Sequence, residues 1–181
     1  RVAVVDGDDL RENLRGLRTR PWGNEKPLDL ANTEILAANV YMGSQPIADA
    51  LDQNPHIVVT GRVTDSALTL GPLMHHFGWA ADDWDKMAAG VLAGHLLECG
   101  SQITGGYHAD PGRKNVSRMA EIGFPIAEVE EDGSLVITKP VGSGGVVNTR
   151  TVKEQILYEL DDPRNYLTPD VTLDITDVEV E

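Results

Sequence analysis

The sequence predicts a three-layer α/β domain with a mainly parallel sheet, helices on both of its faces and an antiparallel hairpin extension. Three observations predict it. Ile57-Val58-Val59-Thr60 is a strand too uniformly apolar for a sheet with one wet face. Before it lie the apolar run Ala37 to Met42 and a helical stretch, with Pro46 in the first turn and Ile47, Ala50 and Leu51 on one side. Strand, short helix and buried strand make a βαβ unit, and hence a parallel sheet. Finally, Ile126 to Val129 and Leu135 to Thr138 flank Glu131-Asp132-Gly133, the pattern of a β-hairpin.

The elements follow in order. Val2 to Val5 is a β-branched strand ending in Asp6-Gly7-Asp8-Asp9, after which Leu10, Leu14 and Leu17 keep a helical period. Asp8 or Asp9 is placed to cap that helix, where free amides and the dipole favour a carboxylate. Thr19 to Pro27, holding Pro21 and Gly23, reads as a loop. Thr64 or Asp65 starts the next helix, and Gly71-Pro72 is expected to kink or end it. Trp84 to Gln102 is the longest helix, with a small-residue face at Ala88, Ala89, Gly90, Ala93 and Gly94 that lets another element come close. Thr104 to Arg113 is a polar, glycine-containing loop. Val152 to Leu160 is a helix announced by the Thr151 and Glu154 spacing of a capping box. Val171 to Val180 alternates apolar with acidic or polar residues, as one or two half-exposed strands do.

The 181 residues suffice for one domain at ~150 residues per domain, so residues 1–181 are read as a single unit with 124–181 as a candidate subdomain. The chain opens at Arg1 directly into an apolar strand, which suggests a fragment of a longer domain. A hydrophobic share of 41% with 24% charged residues is globular, not disordered, composition. Its formal charge of −14 repels phosphate backbones and anionic membrane surfaces, so neither nucleic acid nor a membrane is an expected partner. The longest apolar run, Ala88 to Leu97, is about half of what a bilayer span needs. A single cysteine, Cys99, makes neither an internal disulfide nor a multi-thiolate metal site, and points to a reducing compartment, the cytoplasm.

Candidate chemistry collects at four places and on one further loop. In open α/β sheets ligands gather at the carboxyl ends of strands. Two such ends carry polar clusters, Asp6 to Asp9 and Thr60 to Ser66. Their acidic groups serve either as helix caps or as site residues: Arg62 would fork onto a carboxylate or phosphate, with Asp6 and Thr64 beside it and Asp65 orienting it or moving a proton. The third place is Gly94 to Gly100, where spacings of three and four bring His95, Glu98 and Cys99 near one helical surface. A Cys-His pair can make a nucleophile; a cysteine beside Gly100 at a helix C-terminus instead has its thiol pKa raised, and a buried structural role is the alternative. His108 and Asp110 lie on a loop of the kind that carries catalytic groups, but no metal-ligand spacing is present and no metal is predicted. Fourth, Lys139 precedes Val141-Gly142-Ser143-Gly144-Gly145, with Arg150 and Lys153 following. That order is not a P-loop, and Ser143, Gly144 and Gly145 read equally as a tight turn or an anion cradle.

At Ala38-Asn39-Val40-Tyr41-Met42-Gly43, Val58 through Leu68, Gly94-His95-Leu96-Leu97-Glu98-Cys99-Gly100 and Thr104-Gly105-Gly106, the sequence resembles the acyclic terpene utilisation (AtuA) family. Gly123 to Val129, Ser143-Gly144-Gly145 and Thr151 to Gln155 continue the resemblance over nearly the whole chain. Where the family has Thr-Gly-Gly before the last helix this chain has Ser143-Gly144-Gly145, which keeps the hydroxyl. The resemblance implies a cytoplasmic catabolic protein of branched acyclic terpenes, whose intermediates are acyl-CoA thioesters. It hands over no catalytic residues. Two functions are therefore expected side by side: an enzyme acting on an acyl-CoA or branched carboxylate as a lyase, transferase or hydratase, or a non-catalytic subunit that binds such a metabolite or a partner. Coenzyme A enters only as part of the substrate, and a homo-oligomer is expected.

Overall fold

The structure, a computed structural model, describes residues 1–16, 29 and 32–181. Strand β1 (Val2–Val5) runs parallel to β2 (Ile57–Thr60), with Val2 opposite Ile57 and Val5 opposite Thr60. The connection carries α1 (Gln45–Leu51), which has Pro46 in its first turn and packs on the ladder with Ile47 and Ala48 buried. This is the expected βαβ unit, but its first strand is β1. Ala37 to Met42 forms only single bridges, Asp9 with Asn39 and Met42 with Val63. The fold is mixed α/β, and the parallel ladder stops at two strands where a three-layer sheet was expected. Its inner face meets α1, whereas Val2, Val4, Ile57 and Val59 stand exposed on the other.

The helix expected after Asp9 is reduced to one 3₁₀ turn, Leu14–Gly16, because the Asp9 carboxylate accepts from the Arg11 amide and side chain and sets a turn instead. Leu17 and the Thr19 to Pro27 loop lie outside the described residues.

Helix α2 (Ala67–Phe77) starts after Ser66, since the Thr64 carbonyl spends its lone pair on the Ala67 amide in a turn. It runs through Pro72. The carbonyl that Pro72 deprives of its helical partner belongs to Leu68, and both residues are exposed. Gly78, left-handed at φ 66°, ends the helix.

The long helix α3 (Trp84–Glu98) stops earlier than expected, because Gly100 turns left-handed at φ 55° and a 3₁₀ turn, Gly100–Gln102, follows. The small face does what its composition predicts. A Cβ on Gly94 would lie 2.5 Å from the Ser66 Cα, and one on Gly90 2.5 Å from the Leu70 side chain, so α2 and α3 pack nearly backbone to backbone.

The hairpin β3 (Ile126–Val129) and β4 (Leu135–Thr138) falls where the sequence places it. The Trp79 indole donates to the Glu131 carbonyl at 3.0 Å and ties the turn to the main body. Helix α4 (Thr149–Ile156) is capped by Asn148, whose side chain accepts from the Arg150 and Thr151 amides, while the Thr151 hydroxyl accepts from the Asn148 amide. Thr151 is thus the inner member of the capping box and not its start. Only Thr172–Leu173 of the Val171 to Val180 stretch is strand (β6), paired with β5 (Tyr166–Leu167).

One cluster of buried side chains joins Ala48, Leu70, Met87 and Val91 to Val152, Ile156, Leu173 and Ile175, so the C-terminal third shares the core of α2 and α3. A longer tie runs from Asp170, whose carboxylate accepts from the Ser44 amide (2.7 Å) and hydroxyl (3.0 Å) and so caps α1 from 126 residues away. No described helix is long and apolar enough to cross a membrane.

Candidate functional site

Parallel pairing brings Asp6, at the end of β1, and Gly61 to Ser66, after β2, to one edge of the ladder. Asp8 ties that edge together: its carboxylate accepts from the Arg62 amide (2.8 Å) and the Asn39 side chain (2.7 Å), and these two bonds, the first above all, hold its pKa below the usual value. A side chain at position 61 would overlap that carboxylate, which explains glycine there. The Arg62 guanidinium is stacked 4.0 Å above the Tyr41 ring and lies 3.5 Å from the Asp65 carboxylate. The Thr64 hydroxyl is buried and, among the described residues, has no hydrogen-bond partner.

Beyond Asp65 the edge reaches Tyr166. Burial first, then the negative charges of Asp65, Glu98 and Glu159, raise the Tyr166 phenol above its ordinary pKa. His95 of α3 is buried beside it. Its Nε2 donates to the carbonyls of Gln155 (2.9 Å) and Ile156 (3.2 Å), which can only accept, and its Nδ1 faces the Tyr166 hydroxyl at 3.5 Å. The Gln155 amide returns a bond to the His95 carbonyl. His95 therefore clasps α3 to the end of α4.

Cys99, expected to be mostly buried, is half-buried at the end of α3, and its thiol donates to Glu98. Burial, and after it the Glu98 carboxylate, push the thiol up to about 12. His95 thus touches Tyr166, Asp65 and Glu98 act on it by charge, and Cys99 sits beside Glu98 in a setting that opposes thiolate formation. A lone tyrosine in a two-residue strand carries no signal that could have marked it in the sequence.

His108 belongs to a different cluster. The segment leading to it is locked by the buried Thr104, whose hydroxyl meets the Ser101 and Gly123 carbonyls. His108 Nδ1 lies 2.8 Å from Glu154, and Lys114 Nζ lies 2.7 Å from the other oxygen of the same carboxylate. Lys114 first, and His108 after it, hold Glu154 below the usual carboxylate range. Because an ionised carboxylate only accepts, Nδ1 carries a hydrogen, and Nε2 is the ring nitrogen outside this contact. His108 lines a polar pocket of about 590 Å³ at the start of α4, together with Arg113, Lys114, Asn148, Arg150 and Gly145. Sequence reading missed Glu154 as the partner of His108, 46 residues away, and assigned it to a cap.

The glycine-rich loop closes on itself. Lys139 Nζ donates to the Ser143 carbonyl (3.0 Å) and sits 3.3 Å from its hydroxyl, which in turn donates to the Pro140 carbonyl. The Gly144 and Gly145 amides donate to the Glu121 and Ser117 carbonyls. Side chains at either glycine would collide with the Arg118 or Thr104 carbonyls. These amides are engaged in the turn; Gly145 still forms part of the pocket wall below His108.

Glu154 and Gln155 are successive residues of α4, and the first faces His108 while the second faces His95. The site residues therefore fall into two groups, joined through one helix.

No curated protein and no solved structure matches the chain. The model of the acyclic terpene utilisation family protein AtuA matches residues 1–181, the whole of it. The chain belongs to this family, and membership implies a part in acyclic terpene utilisation.

Proposed function

We propose that this chain is an enzyme that holds an anionic acyl substrate, a branched carboxylate or its coenzyme A thioester, in the pocket at the start of α4 and transfers a proton at the carbon next to the carbonyl. The observation that carries this reading is the Glu154–His108 pair set among Arg113, Lys114 and Arg150 in a chain of charge −14. Cations concentrated at one pocket of an acidic molecule select an anion. Arg113 and Arg150 take its phosphate or carboxylate. Glu154 orients the imidazole and stabilises its protonated form, and His108 Nε2 takes the proton from carbon. The resulting enolate is the intermediate common to many carbon–carbon lyases and hydratases of acyl thioesters.

The experiment is proton exchange: wild-type protein, a branched acyl-CoA and deuterated water, with label uptake followed by mass spectrometry. Wild type is expected to incorporate deuterium, His108→Ala to lose about 10²–10⁴-fold of the rate, and Arg150→Ala to weaken acyl-CoA affinity by roughly ten- to a hundredfold. Equal exchange in wild type and His108→Ala overturns the assignment. A second reading, a non-catalytic metabolite- or partner-binding subunit, draws support from the open face of Val2, Val4, Ile57 and Val59. Tight acyl-CoA binding without exchange would favour it.

A further inference from the structure

A second cavity, of about 650 Å³, lies on the other side of α4 from His108, between α3, β4 and the C-terminal segment. Its walls are aliphatic: Ala88 and Leu92 of α3, Ile137 of β4, Val152 and Ile156 of α4, and Ile175. No aromatic residue lines it, and its volume falls within the range of about 300–1,000 Å³ usual for small-molecule sites. The charged residues that line it are acidic, Asp85, Asp174, Glu179 and Glu181, and all four are exposed, which puts them at the mouth. Asp174 is held ionised by the Thr176 hydroxyl and amide, which keep its pKa low.

An aliphatic interior behind a ring of carboxylates favours one class of amphiphile. Its chain enters the walls by the hydrophobic effect, and its head stays at the mouth, in a negative field. A carboxylate or a phosphate there meets four lining carboxylates, with Arg164 acting on one of them, Asp174, and Lys86 next to another, Asp85. We propose that this cavity is a binding site for an aliphatic chain ending in a cationic, ammonium-type head group, separate from the anion pocket at His108.

The test uses the full chain and three probes of equal chain length, decyltrimethylammonium, decanol and decanoate, each below its self-association concentration, with affinities read by calorimetry. The ammonium is expected to bind at least about tenfold tighter than decanoate, with a preference that shrinks as salt is raised. Ala88→Trp fills the cavity without altering charge, so it should abolish binding of the ammonium and separate this site from loose adsorption to an acidic surface. Glu179→Lys should reduce the preference while leaving decanol affinity in place. Equal affinity for ammonium and decanoate, no binding of the ammonium at all, or binding that survives Ala88→Trp in a protein with unchanged circular dichroism, each overturns the proposal.

Discussion

At the scale of single residues, the environment assigns Cys99 a chemistry opposite to that of a nucleophile. A thiol pushed up to about 12, from an ordinary 9.0, holds roughly a thousandfold less thiolate at neutral pH. Maleimide should therefore modify Cys99 slowly at pH 7, and Glu98→Gln, which removes the neighbouring charge, should speed the reaction; the pH profile of the alkylation rate measures both. The position of Cys99 at a helix end was legible, because Gly100 follows it. His95 was not legible, since its partners are carbonyls 60 and 61 residues further on, and backbone groups leave no trace in a sequence pattern. Glu154 gives the pH dependence. Its pKa is lowered on folding from the ordinary 4.5, so its contribution to stability is present above that value and is lost as pH falls through the lower, folded-state one. In urea titrations between pH 7 and pH 3, Glu154→Gln should flatten part of the acid loss seen in wild type. An unchanged acid limb would mean that the ion pairs do not persist in solution.

At the scale of elements, sequence reading did well where a pattern is local. The hairpin over Ile126–Val129 and Leu135–Thr138 needs only alternation and an Asp-Gly turn, and both are contiguous. The small-residue face of α3 is likewise a local pattern, though its partner α2 is not. Gly94→Ala tests that contact. Alanine in a helix gains up to about 1 kcal/mol over glycine, whereas forcing a methyl group against the Ser66 backbone at 2.5 Å costs about 1–3 kcal/mol, as overpacking does. The steric cost should win, and the urea midpoint should fall; a gain in stability would mean that α2 and α3 are further apart. Helix boundaries were misplaced where two residues compete for one role. Asn148 and Thr151 both make good caps, and the choice went to Asn148 because the Thr151 hydroxyl is turned back to it. Pro72 misled because it lies on the exposed side of α2, as does Leu68, the residue four before it.

For the molecule as a whole, the number of paired strands was the least legible feature. An apolar run such as Ala37 to Met42 shows that a segment can be extended, but pairing depends on which edge is free and in what register, and here it makes only single bridges. The site was partly legible in the same sense. Residue types suited to chemistry were found, while their division into a Tyr166 group and a His108 group depends on how α4 packs. The two-stranded ladder makes a direct prediction. Val4 is 67% exposed, so Val4→Thr, which keeps the branched β-carbon, should change stability by less than about 0.5 kcal/mol. A loss of several times that amount in a urea melt would show that the outer face is covered in solution.

The bond between Ser44 and Asp170 also has a meaning in time. A ribosome makes α1 early and Asp170 more than a hundred residues later, so during synthesis α1 exists without its cap. Seven residues are too short to hold a helix unaided in water. The start of α1 therefore gains its Asp170 partner only after residue 170 has been made, and until then the helix rests on its packing against α2 and the two strands. Long closures of this kind slow folding, because their entropy is lost before the contacts that reward it are made. Asp170 thus makes completion of the β1–α1–β2 unit depend on a residue made 126 positions after the one it holds.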